Sequence, residues 1–331
     1  MKEKILIIGS NSFAGSNFIN HLLNKKCIVT GISRSKENST FHSCYKNNKN
    51  VKNFHFLQLN LNKNCNEIVN FIKKWKPKYI LNFAAQGMVN ESWLKPLDWY
   101  NTNIISQVEL FEKIKKFSFI KKYINFSTPE VFGDNKKNLI ESTVFNPSTP
   151  YAISRASFDE HLIANSKYTK FPIVITRTAN IYGPHQQLYR VVPKAIVSFL
   201  NNKVFYLDGS GTSKRSFIYM DDVSEALFKI MLKKKTNTSY HISSDKFITI
   251  ENLIKKIAYL MKINTNKLLK KNKKDRMGKD YIYRLDSKLL KKELTWKCKV
   301  ELSQGLVKTI LWIIKDYKQL KLKDLEYKHI K

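Results

Sequence analysis

The chain has 331 residues, 43% of them hydrophobic, and a formal net charge of +33. That length buries a substantial core and usually divides into two lobes, while no apolar run approaches the roughly 20 residues that span a bilayer; a soluble, cytoplasmic protein without a membrane segment is expected. The positive charge is spread along the whole chain and is almost all lysine, as in Lys233-Lys234-Lys235 and from Lys270 to Lys274, so it reads as solvated surface rather than as a nucleic-acid or membrane-binding stripe.

In chain order, Lys4 to Ile8 is a short apolar run ending at Gly9, the pattern of a buried parallel strand entering a tight turn. Phe18 to Leu23 has helical spacing. Strands follow over Cys27 to Ile32, Phe54 to Leu59 and Tyr79 to Ala84, and the alternation continues through Ile104 to Ile114, Tyr123 to Ser127, Tyr151 to Ser166 and Ile173 to Arg177. Strand, helix and strand in steps of this length imply right-handed crossovers. The expected fold is α/β, a doubly wound parallel sheet of the Rossmann kind with a smaller α/β substrate-binding lobe. Beyond Arg177 the rhythm breaks, with helices over Glu251 to Met261 and Leu302 to Lys315. The division is expected at residues 1–178 and 179–331, with about 213–240 packing back on the first lobe.

Gly9-Ser10-Asn11-Ser12-Phe13-Ala14-Gly15 follows a strand and opens a helix, the context of a dinucleotide-binding turn. Gly9 permits the sharp turn, Gly15 lets the helix approach the sheet, and N–H groups at the helix start face a pyrophosphate. Ser12 stands where a glycine is usual. At the end of the second strand, Ser33-Arg34-Ser35 replaces the acid that binds the ribose of NAD, which favours a 2′-phosphate and hence NADP over NAD.

Only seven of the 59 basic residues are arginine: Arg34, Arg155, Arg177, Arg190, Arg215, Arg276 and Arg284. A lysine-rich chain uses the planar guanidinium where bidentate grip on a phosphate or carboxylate is wanted. Cys27, Cys44, Cys65 and Cys298 show no CxxC spacing and no adjacent histidine cluster, so neither zinc nor a disulfide framework is indicated. Of the scattered histidines, only His185 lies beside a loop of interest.

Ser127 to Gly133, with Glu130 at its centre, and Tyr151 to Arg155 assemble a hydroxyl, a carboxylate, a phenol and a fixed cation. The phenol is a proton acceptor, the cation favours its phenolate, and the carboxylate is a second base.

On these residues the chain resembles the extended short-chain dehydrogenase/reductases, and within them the NAD-dependent epimerase/dehydratase family that includes the dTDP-glucose and GDP-mannose 4,6-dehydratases. The likeness covers about residues 3–317. It rests on the glycine turn, on Asn82-Phe83-Ala84-Ala85-Gln86, on Ser127 to Gly133, on Asn180-Ile181-Tyr182-Gly183-Pro184, on Arg215 to Val223, and on Asp275 to Asp280 with Asp286-Ser287-Lys288 and Glu293 to Trp296. The resemblance implies that Thr128 holds the sugar 4-hydroxyl, that Tyr151 accepts its proton, and that Arg155 stands in for a lysine that binds the nicotinamide ribose. It implies that Glu130 removes the C5 proton, and that Pro129 occupies the place of an acid that protonates the leaving C6 hydroxyl. It places Asn60, Leu61, Phe83, Ala84, Ala85, Gln86 and Asn103 along the cofactor, together with Gly9, Asn11, Ser12, Phe13 and Gly15. Met88, Asn180, Arg190, Arg215 and Arg276 fall on the side of a nucleotide-diphosphate sugar, with Arg177 bracing the loop that follows it. The expected activity is a nucleotide-sugar 4,6-dehydratase. A 4-epimerase or 4-keto reductase would need Tyr151 but not Glu130, and a non-catalytic nucleotide binder would need neither. By analogy the partner is a second copy of the chain, paired through the helices near Ile104 to Ile114 and Tyr151 to Ser166.

Overall fold

The computed structural model describes residues 3–142, 144–272, 277–278, 280–317, 320 and 325–329. Seven strands build the central sheet: β1 (Lys4–Ile8), β2 (Ile28–Ser33), β3 (Phe54–Gln58), β4 (Tyr79–Asn82), β5 (Lys122–Ser127), β6 (Ile173–Thr178) and β7 (Thr238–Ile242). Their order is β7-β6-β5-β4-β1-β2-β3, and every pairing is parallel. Side chains alternate across a strand. Ile5 and Ile7 therefore enter one core with Phe18, Leu22, Val223 and Leu227, while Leu6 and Ile8 enter another with Ile68, Ile72, Phe111 and Phe158. Both faces are covered by helices, which is why the first strand reads as an unbroken apolar run.

The sheet reverses its winding between β1 and β4, where Leu6 is flanked by Thr30 on one side and Ile80 on the other. A crevice opens at the carboxyl ends of the strands there. Small sheets cap it. One has the order Phe247–Thr249, Lys214–Tyr219, Asn180–Tyr182; the others pair Leu269–Lys271 with Phe205–Leu207 and Arg284–Leu285 with Asn138–Leu139. A separate core around Val192, Ile196, Leu253, Ile257, Leu306 and Ile310 supports them.

Two features depart from the expected pattern. The main sheet gains β7 well beyond Arg177, reached through the helix Met220–Leu232, which packs on the helix Phe13–Asn24. Thr238 to Ile242 buries Tyr240 and Ile242 in the first core but alternates with polar residues, so it lacks the apolar run of the inner strands. The helix expected from Ile104 instead begins with a π-helical turn, Asn101–Ile105, before Ser106–Ile114. Such turns are rare and mark functional positions; here the turn directs Asn103 into the interior. Among the described residues no helix is long and apolar enough to cross a membrane, and no group of three or more His, Cys, Asp or Glu could hold a metal ion.

Candidate active site

The crevice holds a cavity of about 1080 Å³, larger than the roughly 300–1,000 Å³ that takes one small ligand. Its wall includes Gly9, Asn11, Ser12, Phe13, Ser33, Arg34, Ser35, Asn60 and Leu61, then Phe83 to Gln86 and Met88, then Thr128, Glu130, Tyr151 and Arg155, and finally Asn180, Arg190 and Arg215. Residues far apart in sequence are thus brought to one space large enough for a dinucleotide and a second ligand.

At the glycine turn, Gly9 has φ +83°, and a Cβ there would lie 2.5 Å from the Ala84 nitrogen. Only glycine admits that approach. Gly15 is not on the cavity wall. A Cβ on it would meet the Gly9 carbonyl oxygen at 2.5 Å, so its part is to dock the helix on the turn. Ser12 caps the helix Phe13–Asn24, its Oγ accepting from the Gly15 N–H at 3.0 Å. The serine in a glycine's usual place thus orders the helix start, where N–H groups suit a pyrophosphate. The turn and the close backbone approach fit a dinucleotide.

Past β4, Asn82 donates to Gln107 Oε1 at 2.7 Å and to the Tyr123 hydroxyl at 3.0 Å, while Gln107 donates to the Ala84 carbonyl at 2.8 Å. Asn103 accepts from the Gln86 N–H at 2.8 Å and donates to the Gln86 carbonyl at 3.0 Å and to Ser154 Oγ at 2.9 Å. Asn103 is fully buried behind the wall. It fastens the segment carrying Ala84 to Gln86 onto the helix carrying Tyr151.

That helix, Pro150–Tyr168, starts sharply because Thr149 Oγ1 accepts from the Ala152 N–H at 3.1 Å and Pro150 fills its first position. Tyr151, Arg155 and Asp159 are spaced four apart and share a face. Asp159, with no exposure, accepts from Asn125 at 2.9 Å, from Ser127 at 2.8 Å and from Arg177 Nε at 3.2 Å, with Arg177 Nη2 at 3.0 Å. Arg177 lies 5.1 Å from the ring centroid of Phe132 and 5.0 Å from that of Phe145. Expected to brace the loop that follows it, Arg177 instead lies against the loop that carries Glu130. Arg155 donates to the Phe126 carbonyl.

Beyond β5, Thr128 caps a 3₁₀ turn, Pro129–Phe132, with Pro129 at its first position and Val131 and Phe132 buried. A proline suits that position because its fixed φ starts a helical turn and no N–H is needed. Glu130 and Tyr151 both face the cavity. Burial, then the Glu130 carboxylate, push the Tyr151 phenol above its usual pKa; Arg155, a hydrogen bond with Thr128, and Arg190 act in the opposite direction. The cation therefore works in the expected sense without by itself making the phenolate the favoured form.

At the far end, Arg190 approaches the backbone at Gly87, where a Cβ would sit 3.5 Å from its Nη2. Arg215 donates to the carbonyls of Lys214, Asp280 and Tyr281 and lies 4.5 Å from the Tyr283 ring centroid. Tyr283, which was not anticipated, is buried and donates to Asn180 Oδ1 at 2.7 Å. It stands between the two quoted parts of the signature, Asp275 to Asp280 and Asp286 to Lys288. Arg276 lies outside the described residues. His185 is not on the cavity wall; its Nδ1 is 2.7 Å from the Phe41 carbonyl and its ring packs on Trp312.

The profile of the GDP-mannose 4,6 dehydratase family matches residues 6–309. The chain belongs to this family. The dTDP-D-glucose 4,6-dehydratase of Homo sapiens is 32% identical over 238 residues, spanning 70% of this chain and 67% of that enzyme. The crystal structure of dTDP-glucose 4,6-dehydratase from Bacillus anthracis, in complex with NAD, superposes with a TM-score of 0.86 at 26% identity, over 98% of this chain and all of that one. The Streptomyces venezuelae dTDP-glucose 4,6-dehydratase, with NAD bound, gives a TM-score of 0.88 at 22% identity over 98% of this chain and all of that one.

The Bacillus anthracis enzyme corrects the expected preference for NADP: it holds NAD. The local geometry supplies the reason. Ser33 Oγ accepts from the Asn11 N–H at 2.9 Å and Ser35 Oγ accepts from the Asn11 amide at 3.0 Å. Two of the three groups that suggested a 2′-phosphate site are engaged within the protein.

Two outcomes follow from this geometry. Asp159→Ala, which leaves Arg177 buried without its counter-charge, should lower the unfolding free energy by about 3–5 kcal/mol, read by urea denaturation. Arg155→Met removes a charge that lowers the Tyr151 pKa, so the acidic limb of the kcat–pH profile at saturating NAD should move to higher pH; an unmoved limb would mean that Arg155 does not act on the phenol.

Proposed function

We propose that the protein dehydrates a dTDP-activated glucose at C5–C6 by an oxidation, elimination and reduction cycle that leaves a 4-keto-6-deoxy sugar. The observation that carries the reading is the convergence of Thr128, Glu130, Tyr151 and Arg155 on the cavity that also contains the glycine turn. Bound at that turn, NAD would supply the hydride chemistry of the cycle. Thr128 holds the C4 oxygen and Tyr151 takes its proton. Once C4 is a ketone the C5 hydrogen is acidic, and Glu130 removes it. Pro129 has no proton to give, so Glu130 hands the same proton to the departing C6 oxygen, which leaves as water. The proton that Tyr151 removed from O4 balances the one that C5 regains when the hydride arrives at C6. Asn180, Arg190 and Arg215 orient the diphosphate, with Tyr283 holding Asn180 in place, and Arg276 is assigned to the same group by the family signature.

Residues 1–178, with about 213–240, form the cofactor lobe in this reading, and 179–331 the sugar-nucleotide lobe. A cytoplasmic homodimer fits the surface: Leu94, Leu97, Ile105 and Ile153 are 41–76% exposed on elements that pack beside one another, an apolar patch of the kind that marks an interface. The dTDP-glucose enzymes among the relatives support the choice of nucleotide and sugar.

Pro129 favours one second reading, a 4-epimerase or 4-keto reductase in which Glu130 is dispensable. Incubation with NAD and dTDP-glucose, with UDP-glucose and GDP-mannose as comparators, should yield the alkali-absorbing 4-keto product fastest from dTDP-glucose. Glu130→Gln should slow that product by roughly 10²- to 10⁴-fold, the usual worth of a positioned acid or base. Turnover without elimination, unaffected by Glu130→Gln, would establish the second reading instead.

A further inference from the structure

Residues 325–329 run across the mouth of the cofactor crevice and touch both lobes. Leu325 is buried in the core that contains Trp312 and Ile313. Tyr327 sets its ring edge-on against Tyr189 with centroids 5.2 Å apart, and its hydroxyl lies 3.4 Å from Gln86 Oε1. His329 then stacks on Trp99 at 5.0 Å with 13° between the ring planes, and its Nε2 is 2.7 Å from an Asp98 carboxylate oxygen. Tyr327 shares one cavity wall with Gly9, Arg34 and Gln86. Tyr327 thus touches the loop after β4 and lines the cavity together with the loop after β2 and the turn after β1.

We infer that residues 325–329 form a strap over bound NAD, with Tyr327 as its span and the His329 to Asp98 and Trp99 contact as its latch, and that the strap sets the rate at which NAD leaves. The inference rests on the cofactor assignment above. It also agrees with the chemistry. In a cycle whose hydride returns to the same sugar, NAD ends in the state in which it began and has no need to leave between turnovers. A dehydrogenase that must exchange its cofactor each cycle would be slowed by such a closure, whereas this reaction is not. The sugar nucleotide needs its own route, and Asn180 and Arg215 lie against Tyr283 elsewhere on the cavity wall.

The test measures release of labelled NAD from the full chain into excess unlabelled NAD, for the unmodified protein and for Tyr327→Ala combined with His329→Ala. Affinity changes of this sort fall mostly on the dissociation rate, and release should accelerate on the order of tenfold or more. Release within twofold of the unmodified protein, from a variant whose circular dichroism shows it folded, overturns the strap. Hydrogen exchange on the unmodified chain decides the matter should the variant fail to fold: amides of residues 325–329 should exchange more slowly with NAD bound, and equal exchange with and without NAD overturns the proposal. An unmodified chain that retains no NAD sinks the cofactor assignment and the strap together. A chain that retains NAD through the strap but makes no 4-keto product sinks only the dehydratase reading.

Discussion

Asp159 has no contact with solvent, and a buried carboxylate is tolerated only where its charge is met by donors. Asn125 and Ser127 reach it from β5 and Arg177 from β6. That requirement docks the helix Pro150–Tyr168 on the ends of two strands in one register. Tyr151 and Arg155 share the helix face of Asp159, so the same contact sets where they stand relative to Thr128 and Glu130. Arg177 extends the arrangement by lying against Phe132 and Phe145, on the loop that presents Glu130. Electrostatic necessity in the interior thus becomes positional accuracy at the cavity.

A second network acts on the cofactor side. Asn103 uses its side-chain amide on the Gln86 backbone and on Ser154, joining the exit of β4 to the same helix. A regular helix from Asn101 onward would place this side chain differently; the π-helical turn is the local departure that aims it inward. Both walls of the crevice are therefore referred to one helix, the rigid support that a site with small geometric tolerance needs.

The electrostatics contain a conflict that the reaction itself explains. Glu130 and Tyr151 are both bases in the proposed cycle, and placing the carboxylate on the same cavity opposes ionisation of the phenol. Burial adds to the cost for the phenol, while Arg155, Arg190 and Thr128 offset part of it. Positive charge on an oxidised nicotinamide held beside Tyr151 would act in the same direction as Arg155. Pro129 starts the turn that carries Glu130, and in the proposed cycle the one carboxylate serves at both C5 and C6.

The parallel sheet, the glycine turn and the four side chains Thr128, Glu130, Tyr151 and Arg155 that meet on the cavity were legible in the linear chain because each depends on local chemistry. Unbroken apolar runs mark strands buried on both faces, Gly9 marks a backbone conformation closed to other residues, and Tyr151 with Arg155 is a spacing that any helix turns to one side. What the order of residues left open were matters of partnership across space. Ser33 and Ser35 read as grips for a phosphate until folding engaged them with Asn11; β7 lacked an apolar run yet completed the sheet; and Asp159 and Tyr283 carried no motif. Residues 325–329 had no pattern at all, since their significance comes only from lying over a crevice built by strands some 240 to 320 positions earlier in the chain. Local conformational preference is encoded residue by residue, whereas desolvation, charge pairing and closure are properties of the packed assembly, and only the tertiary structure decides them.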